Sequence, residues 1–148
     1  MKYRQTGYHT VTPYLVMNDC SQAIEFYKQV FGAKELFRTA SSNGKISHAE
    51  LKIGDSRIMV ADEHPDSLVR SPSVLGGTSV SLMIYVKDAD QVFAQAIEAG
   101  AIEDDPVKAK PYGDRSGSLI DPFGHRWTIA THFEDVLPKQ IKGRQRKG

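Results

Sequence analysis

His48 and Glu50 stand two residues apart in the stretch Ile46-Ser-His-Ala-Glu-Leu-Lys-Ile53, and the residues alternating with them, Ala49, Leu51 and Ile53, are apolar. Alternation of that kind puts the imidazole and the carboxylate on one face of a strand and the apolar set on the other. Their Cα atoms are then about 7 Å apart, near enough to share a ligand or an ion. As chemistry the pair offers a general acid and a general base. It also offers two ligands of a metal, with Asp62, His125 and His132 as further candidates by nearness of strand ends. The structural alternative is a hydrogen-bonded polar pair in a wet cavity, since buried polar side chains must find partners. The catalytic assignment stays open between these.

Around that pair the sequence supplies recognition groups. Arg126 alternates with Trp127 and Ile129 and shares a face with Thr128 and Ala130. Tyr112, in a Pro-Tyr-Gly loop, is placed to close over a pocket mouth. Tyr14 and Met59 complete this set of candidate ligand-binding residues with His48 and Glu50. Cys20 falls in the first turn of a helical pattern, where a thiol can be activated. No base is near it in sequence, so it reads as small-residue packing. His125 reads as a turn residue with a structural hydrogen bond, and Asp62-Glu63-His64 as a solvated strand end.

The elements that must position these residues come in two copies. Asp19-Cys-Ser-Gln22 returns as Asp88-Ala-Asp-Gln91, and each Asp-x-x-Gln resembles a capping box opening a helix. Apolar residues follow at helical spacing, Ala23, Ile24, Tyr27, Val30 and Phe31 in one copy, Val92, Phe93, Ala96 and Ile97 in the other. Gly32 and Gly100 supply the stops. Strands are predicted at 8–17, 35–40, 46–53 and 57–62, and again at 78–86, 104–109, 114–120 and 125–131. The Pro-, Ser- and Gly-rich segment 63–77 reads as a linker. The fold class is therefore α+β, with two tandem βαβββ modules, about 8–62 and 78–131, in one domain over 1–135.

With 148 residues the chain has the size of one domain. Its net charge of +1 argues against a broad nucleic-acid surface. The basic run Lys139, Lys142, Arg144, Arg146, Lys147 is expected to be a flexible, solvated tail over 136–148, with a polyanion-binding arm as the alternative. A single cysteine forbids an intrachain disulfide. Neither a leader pattern nor a membrane-spanning run is present, and a cytoplasmic location without membrane partners is the expectation.

Thr12-Pro-Tyr-Leu-Val, Ala23-Ile-Glu-Phe-Tyr-Lys-Gln-Val-Phe-Gly-Ala33, His48-Ala-Glu-Leu51, Gly113-Asp-Arg115 and Asp121-Pro-Phe-Gly-His-Arg-Trp127 together resemble the PhnB-like branch of the vicinal oxygen chelate (glyoxalase/bleomycin-resistance/extradiol dioxygenase) superfamily. The resemblance implies curved mixed sheets around a cavity, with helices on the convex side and His48 and Glu50 on the concave side. It also implies a homodimer. Carrying the internal repeat across the last hairpin with an offset of 67 places Arg115 at the position equivalent to His48, which makes Arg115 a candidate grip for an anionic ligand. Glyoxalase-like enzymes hold a metal at four positions that align with Thr12, Met59, Ser81 and Thr128. A thioether and three hydroxyls are poor ligands for zinc, nickel or iron, so no metal or other cofactor is expected. The function expected is binding of a small organic molecule. The alternative is a lyase, isomerase or dioxygenase-like enzyme using His48 and Glu50.

Overall fold

A computed structural model describes residues 2–147. The chain divides into two compact units, one up to Thr78 and one from Ser79 onward.

The first unit holds β1 (Tyr14–Met17), α1 (Cys20–Phe31), β2 (Lys34–Ala40), β3 (Ile46–Ile53), β4 (Ser56–Asp62) and a short α2 (Pro72–Leu75). Its sheet has the order β1-β4-β3-β2, with β1 parallel to β4 and the other pairs antiparallel. The side chain of Asp19 caps α1 by accepting the Gln22 N–H at 3.2 Å, and Gly32 ends the helix at φ 67°, where a Cβ would be strained. Ile24 and Tyr27 of α1 are buried with Leu15, Met17, Ala49, Leu51 and Val60. The register Leu15↔Val60↔Ala49 shows that these strand residues share one face. β1 is shorter than the predicted 8–17. Residues 8–13 run as coil, ending at Pro13, which lacks the N–H a ladder needs.

The second unit repeats the plan with β5 (Ser81–Tyr85), α3 (Ala89–Glu98), β6 (Ile102–Ala109), β7 (Asp114–Ile120) and β8 (Arg126–His132), in sheet order β5-β8-β7-β6. Asp88 caps α3 through the Gln91 N–H at 3.1 Å. The repeat extends to a tie between helix start and last strand. Asp62 accepts the Cys20 N–H at 2.7 Å, and Thr131 accepts the Ala89 N–H at 2.9 Å. Both sheets are mixed, and neither closes into a barrel.

Residues of the expected tail form a further helix, α4 (Pro138–Lys147). Pro138 suits a first helical position, and the Gln140 side chain reaches back to accept the Leu137 N–H at 3.0 Å, as in a capping box. Arg144 fastens the helix to the Pro111 carbonyl at 3.1 Å and to Glu134 at 2.6 Å. The side chains of Arg146 and Lys147, and the terminal residues Met1 and Gly148, lie outside the described residues. Among the described residues, no helix is long and apolar enough to cross a membrane.

Candidate functional site

Tyr14, Met59 and Glu50 line up across β1, β4 and β3 through the register Tyr14↔Met59↔Glu50, and paired residues share a face. His48, two residues before Glu50, shares it too. This is the face away from the α1-packed core, where alternation expects the pair. One turn of alternation is enough to separate them from buried Ala49 and Leu51.

The polar groups on this face form one hydrogen-bonded chain. Tyr14 Oη lies 3.0 Å from His48 Nδ1, and His48 Nε2 lies 3.0 Å from Glu50 Oε2. Tyr8 donates its hydroxyl to Glu50 Oε1. These donors, Tyr8 first and His48 second, hold the Glu50 carboxyl below the usual range. A carboxylate only accepts, so Nε2 carries the proton of the His48–Glu50 bond. With the ring neutral, Nδ1 is an acceptor and Tyr14 is its donor. The Tyr14 oxygen then turns lone pairs, and no proton, toward the rest of its surroundings. Its ring leans on His48 with centroids 5.6 Å apart, and the Phe37 ring lies 6.4 Å from the imidazole. Burial raises the Tyr14 phenol, with the Cys20 sulfur adding to the shift.

Tyr8 had no counterpart among the sequence candidates. It is buried, and burial followed by the Glu50 charge pushes its phenol to about 12. The Arg57 guanidinium stacks on its ring, 5.3 Å from the centroid. Gly7 makes this approach feasible. Its φ is +90°, and a Cβ there would overlap the guanidinium of Arg57. Nothing local in the sequence signals the contact, because Tyr8 and Glu50 are 42 residues apart.

The other candidates are placed differently. Register shows Ser118 opposite Thr128 as Glu50 is opposite Met59, so the repeat offset on the third strand is 68 and the equivalents of His48 and Glu50 are Ser116 and Ser118. The expected offset of 67 shortened the count by one residue too many. A one-residue slip moves every side chain to the other face. Arg115 therefore lies on the α3 side, paired with Asp90 through Nε–Oδ2 at 2.6 Å and Nη2–Oδ1 at 3.0 Å. That corrects its assignment to the open face. Arg126 is on the open face of the second sheet, as alternation expects, but it donates to Asp104 at 2.9 Å and to Ser81 at 2.8 Å. Tyr112 sits, exposed, in the turn between β6 and β7.

Asp62 is spent on backbone, accepting from Cys20 and Ile46. Cys20 is fully buried, and burial pushes its thiol to about 12, consistent with packing. The backbone N–H of His125 donates to Asp121, whose buried carboxylate also accepts from Phe123 and Trp127. His132 belongs to a network absent from the sequence reading. Its Nδ1 is 2.6 Å from buried Asp114 and its Nε2 2.7 Å from Asp135, while Tyr85 donates to Asp114 at 3.1 Å. Asp114 first, then Asp135, raises its affinity for the proton.

Beside Tyr14 the first unit contains a hollow of about 470 Å³, within the size range of small-molecule sites. Tyr14, Val16, Ala61 and Val69 give it aromatic and apolar walls, and Asp62, Glu63 and His64 line its polar side. The segment after β4, expected as a plain linker, is folded over this region. Arg70 ties it by donating to the carbonyls of His64 at 3.1 Å, Pro65 at 3.2 Å and Val69 at 3.3 Å. Glu63 holds its far end, accepting the Ser71 N–H at 3.0 Å.

A family model described as the Glyoxalase/Bleomycin resistance protein/Dioxygenase superfamily matches residues 8–129, nearly all of both sheets. The chain belongs to this superfamily. An uncharacterized protein of Mycobacterium bovis is 36% identical to this superfamily member over 135 residues, covering 89% of each chain. Among solved structures, TioX from Micromonospora sp. ML1 is 29% identical at a TM-score of 0.65, covering 84% of this chain and 99% of its own. The PhnB protein from Bacillus cereus has the same fold at 17% identity and a TM-score of 0.68, covering 83% of this chain and 99% of its own.

A metal of the glyoxalase type does not fit the residues at the four aligned positions of this superfamily member. Thr128 shares a hydrogen bond with Ser118 at 2.9 Å, and Ser81 accepts from Arg126. Thr12 offers a hydroxyl and Met59 a thioether, both weak donors to such ions. Among the described residues, no group of three or more His, Cys, Asp and Glu is arranged to hold a metal ion.

Proposed function

We propose that this superfamily member binds a small organic molecule in the hollow beside Tyr14, without a metal or other cofactor, and anchors it on the Tyr14 oxygen. The observation that carries this reading is the juxtaposition of an apolar-walled hollow with one end of the Tyr14–His48–Glu50–Tyr8 chain. Apolar surface of a ligand against Val16, Ala61 and Val69 supplies affinity at roughly 25 cal/mol per Å² removed from water. A hydrogen bond to Tyr14 fixes orientation and adds about 1 kcal/mol. The phenol is held in place for this by His48, which Glu50 orients in turn.

A second reading, proton transfer by an isomerase- or lyase-like enzyme, is supported by the hydroxyl–imidazole–carboxylate order, which is how enzymes pass a proton from a hydroxyl to a held base. A homodimer is proposed on the family resemblance alone.

The test is a titration of the ¹⁵N-labelled protein with benzyl alcohol, a neutral aromatic probe, followed by amide chemical shifts. Saturable shifts are expected at Tyr14, Val16, Ala61 and Val69. Their absence from this group, with or without saturable shifts elsewhere, would overturn the assignment of the hollow as the binding site.

A further inference from the structure

Resting on that reading of the hollow, we infer that its ligands carry a hydrogen-bond donor with positive charge, a protonated amine attached to an apolar body, and that anionic ligands are disfavoured. The groups lining the hollow are unbalanced in sign. Asp62 and Glu63 both line it, and its lining includes neither lysine nor arginine. Both carboxylates accept hydrogen bonds from backbone N–H groups. Asp62 accepts the N–H groups of Cys20 at 2.7 Å and Ile46 at 2.8 Å. Glu63 accepts that of Ser71, which, with the Ser71 side chain, keeps it ionised below the usual carboxylate range. Backbone donors neutralise neither charge, because an N–H is a dipole and not a cation.

The cations nearby stand outside the lining. Arg70 and Lys45 are close enough to favour the Glu63 charge, but neither lines the hollow, and Arg70 directs its guanidinium at three carbonyls. His64 does line it. Its Nδ1 faces Asp66, 3.1 Å from the backbone nitrogen and 3.8 Å from Oδ2 of that residue.

Tyr14 points to the same ligand class independently of the carboxylates. Its proton is committed to His48 when the ring is neutral, leaving an oxygen that only accepts. An ammonium is a pure donor, and an aromatic face favours a cation further. A carboxylate ligand would meet acceptors at Tyr14, Asp62 and Glu63 with no donor of full charge to offset them.

The test compares benzylammonium, benzyl alcohol and benzoate on the full chain by the same amide-shift titration. Benzylammonium is expected to bind about tenfold or more tightly than benzoate, the scale of one charge-assisted hydrogen bond, with benzyl alcohol between them. Glu63→Gln keeps an oxygen acceptor for the Ser71 N–H and removes the charge, and it should shrink the preference severalfold. Tyr14→Phe should weaken benzylammonium and leave benzoate unchanged. Benzoate binding as tightly as benzylammonium in the hollow, or an unchanged preference in folded Glu63→Gln, would overturn the inference while leaving the hollow a binding site. Failure of all three probes to bind would instead defeat the reading on which it rests.

Discussion

His48 Nε2 and Glu50 Oε2 face each other at 3.0 Å from alternate positions of one strand, and Tyr8 closes the other oxygen of the same carboxylate. The two oxygens of Glu50 thus engage one side chain of its own strand, His48, and one from the coil ahead of β1, Tyr8. The carboxylate orients the imidazole, and the imidazole orients Tyr14 at the edge of the hollow.

Removing the Glu50 charge tests that chain through pH. The folded-state affinity of Glu50 for a proton is depressed, so its contribution to stability is present above the unfolded value of about 4.3 and is lost as pH falls through the lower folded value. Glu50→Gln is expected to cost about 1–2 kcal/mol near neutral pH. Denaturant unfolding at a series of pH values should show the difference from the parent narrowing in acid. A difference independent of pH would contradict a charged role.

Tyr8→Phe deletes one donor to Glu50 and should destabilise the fold by about 1 kcal/mol. The carboxylate should then titrate at a higher pH, read from the side-chain ¹³C shift of Glu50. Gly7→Ala should act on the same contact by another route, since φ of +90° and the Arg57 guanidinium both oppose a Cβ. Lost protection of the Tyr8 amide from hydrogen exchange would report it.

The His132 network makes a prediction of opposite sign. Asp114 and Asp135 raise its proton affinity, so its contribution is present below the unfolded value of about 6.5 and is lost as pH rises through the raised folded value. An imidazole titration by NMR should place its midpoint above 6.5, the ordinary histidine value. Asp114→Asn should bring that midpoint down. A midpoint in the parent at or below the ordinary value would contradict the pairing.

Arg115→Ala is expected to leave benzyl alcohol binding unchanged and to reduce stability only slightly, because the Arg115–Asp90 pair is solvent-exposed. A marked loss of affinity would contradict its placement on the α3 side.

Much of this architecture is legible in the residues. The alternation of Ala49, Leu51 and Ile53 defines β3 and the side of His48 and Glu50, and the two Asp-x-x-Gln caps announce both helices, because these signals act within a few residues. Arg115 was misassigned for a reason equally local. The turn from Ile120 to Arg126 is one residue longer than that from Lys52 to Arg57, and hairpin length cannot be read from turn composition to within one residue. Tyr8 depends on a distant segment folding back, the Asp114–His132 pair on the register of β7 against β8, and the Arg70 clamp on an irregular turn, none of which a periodic pattern signals. α4 was missed because its basic run lacks an apolar stripe. Its fastening comes from Gln140 and Arg144 instead.

The central claim, that the hollow beside Tyr14 is a ligand site anchored on the Tyr14 oxygen, is tested most directly by a crystal of this protein soaked in benzyl alcohol. The account predicts density for the ring against Val16, Ala61 and Val69, with the hydroxyl within hydrogen-bond distance of Tyr14 Oη and the Tyr14–His48–Glu50 contacts intact. A hollow filled by water alone, with the alcohol ordered elsewhere on the molecule, would contradict it.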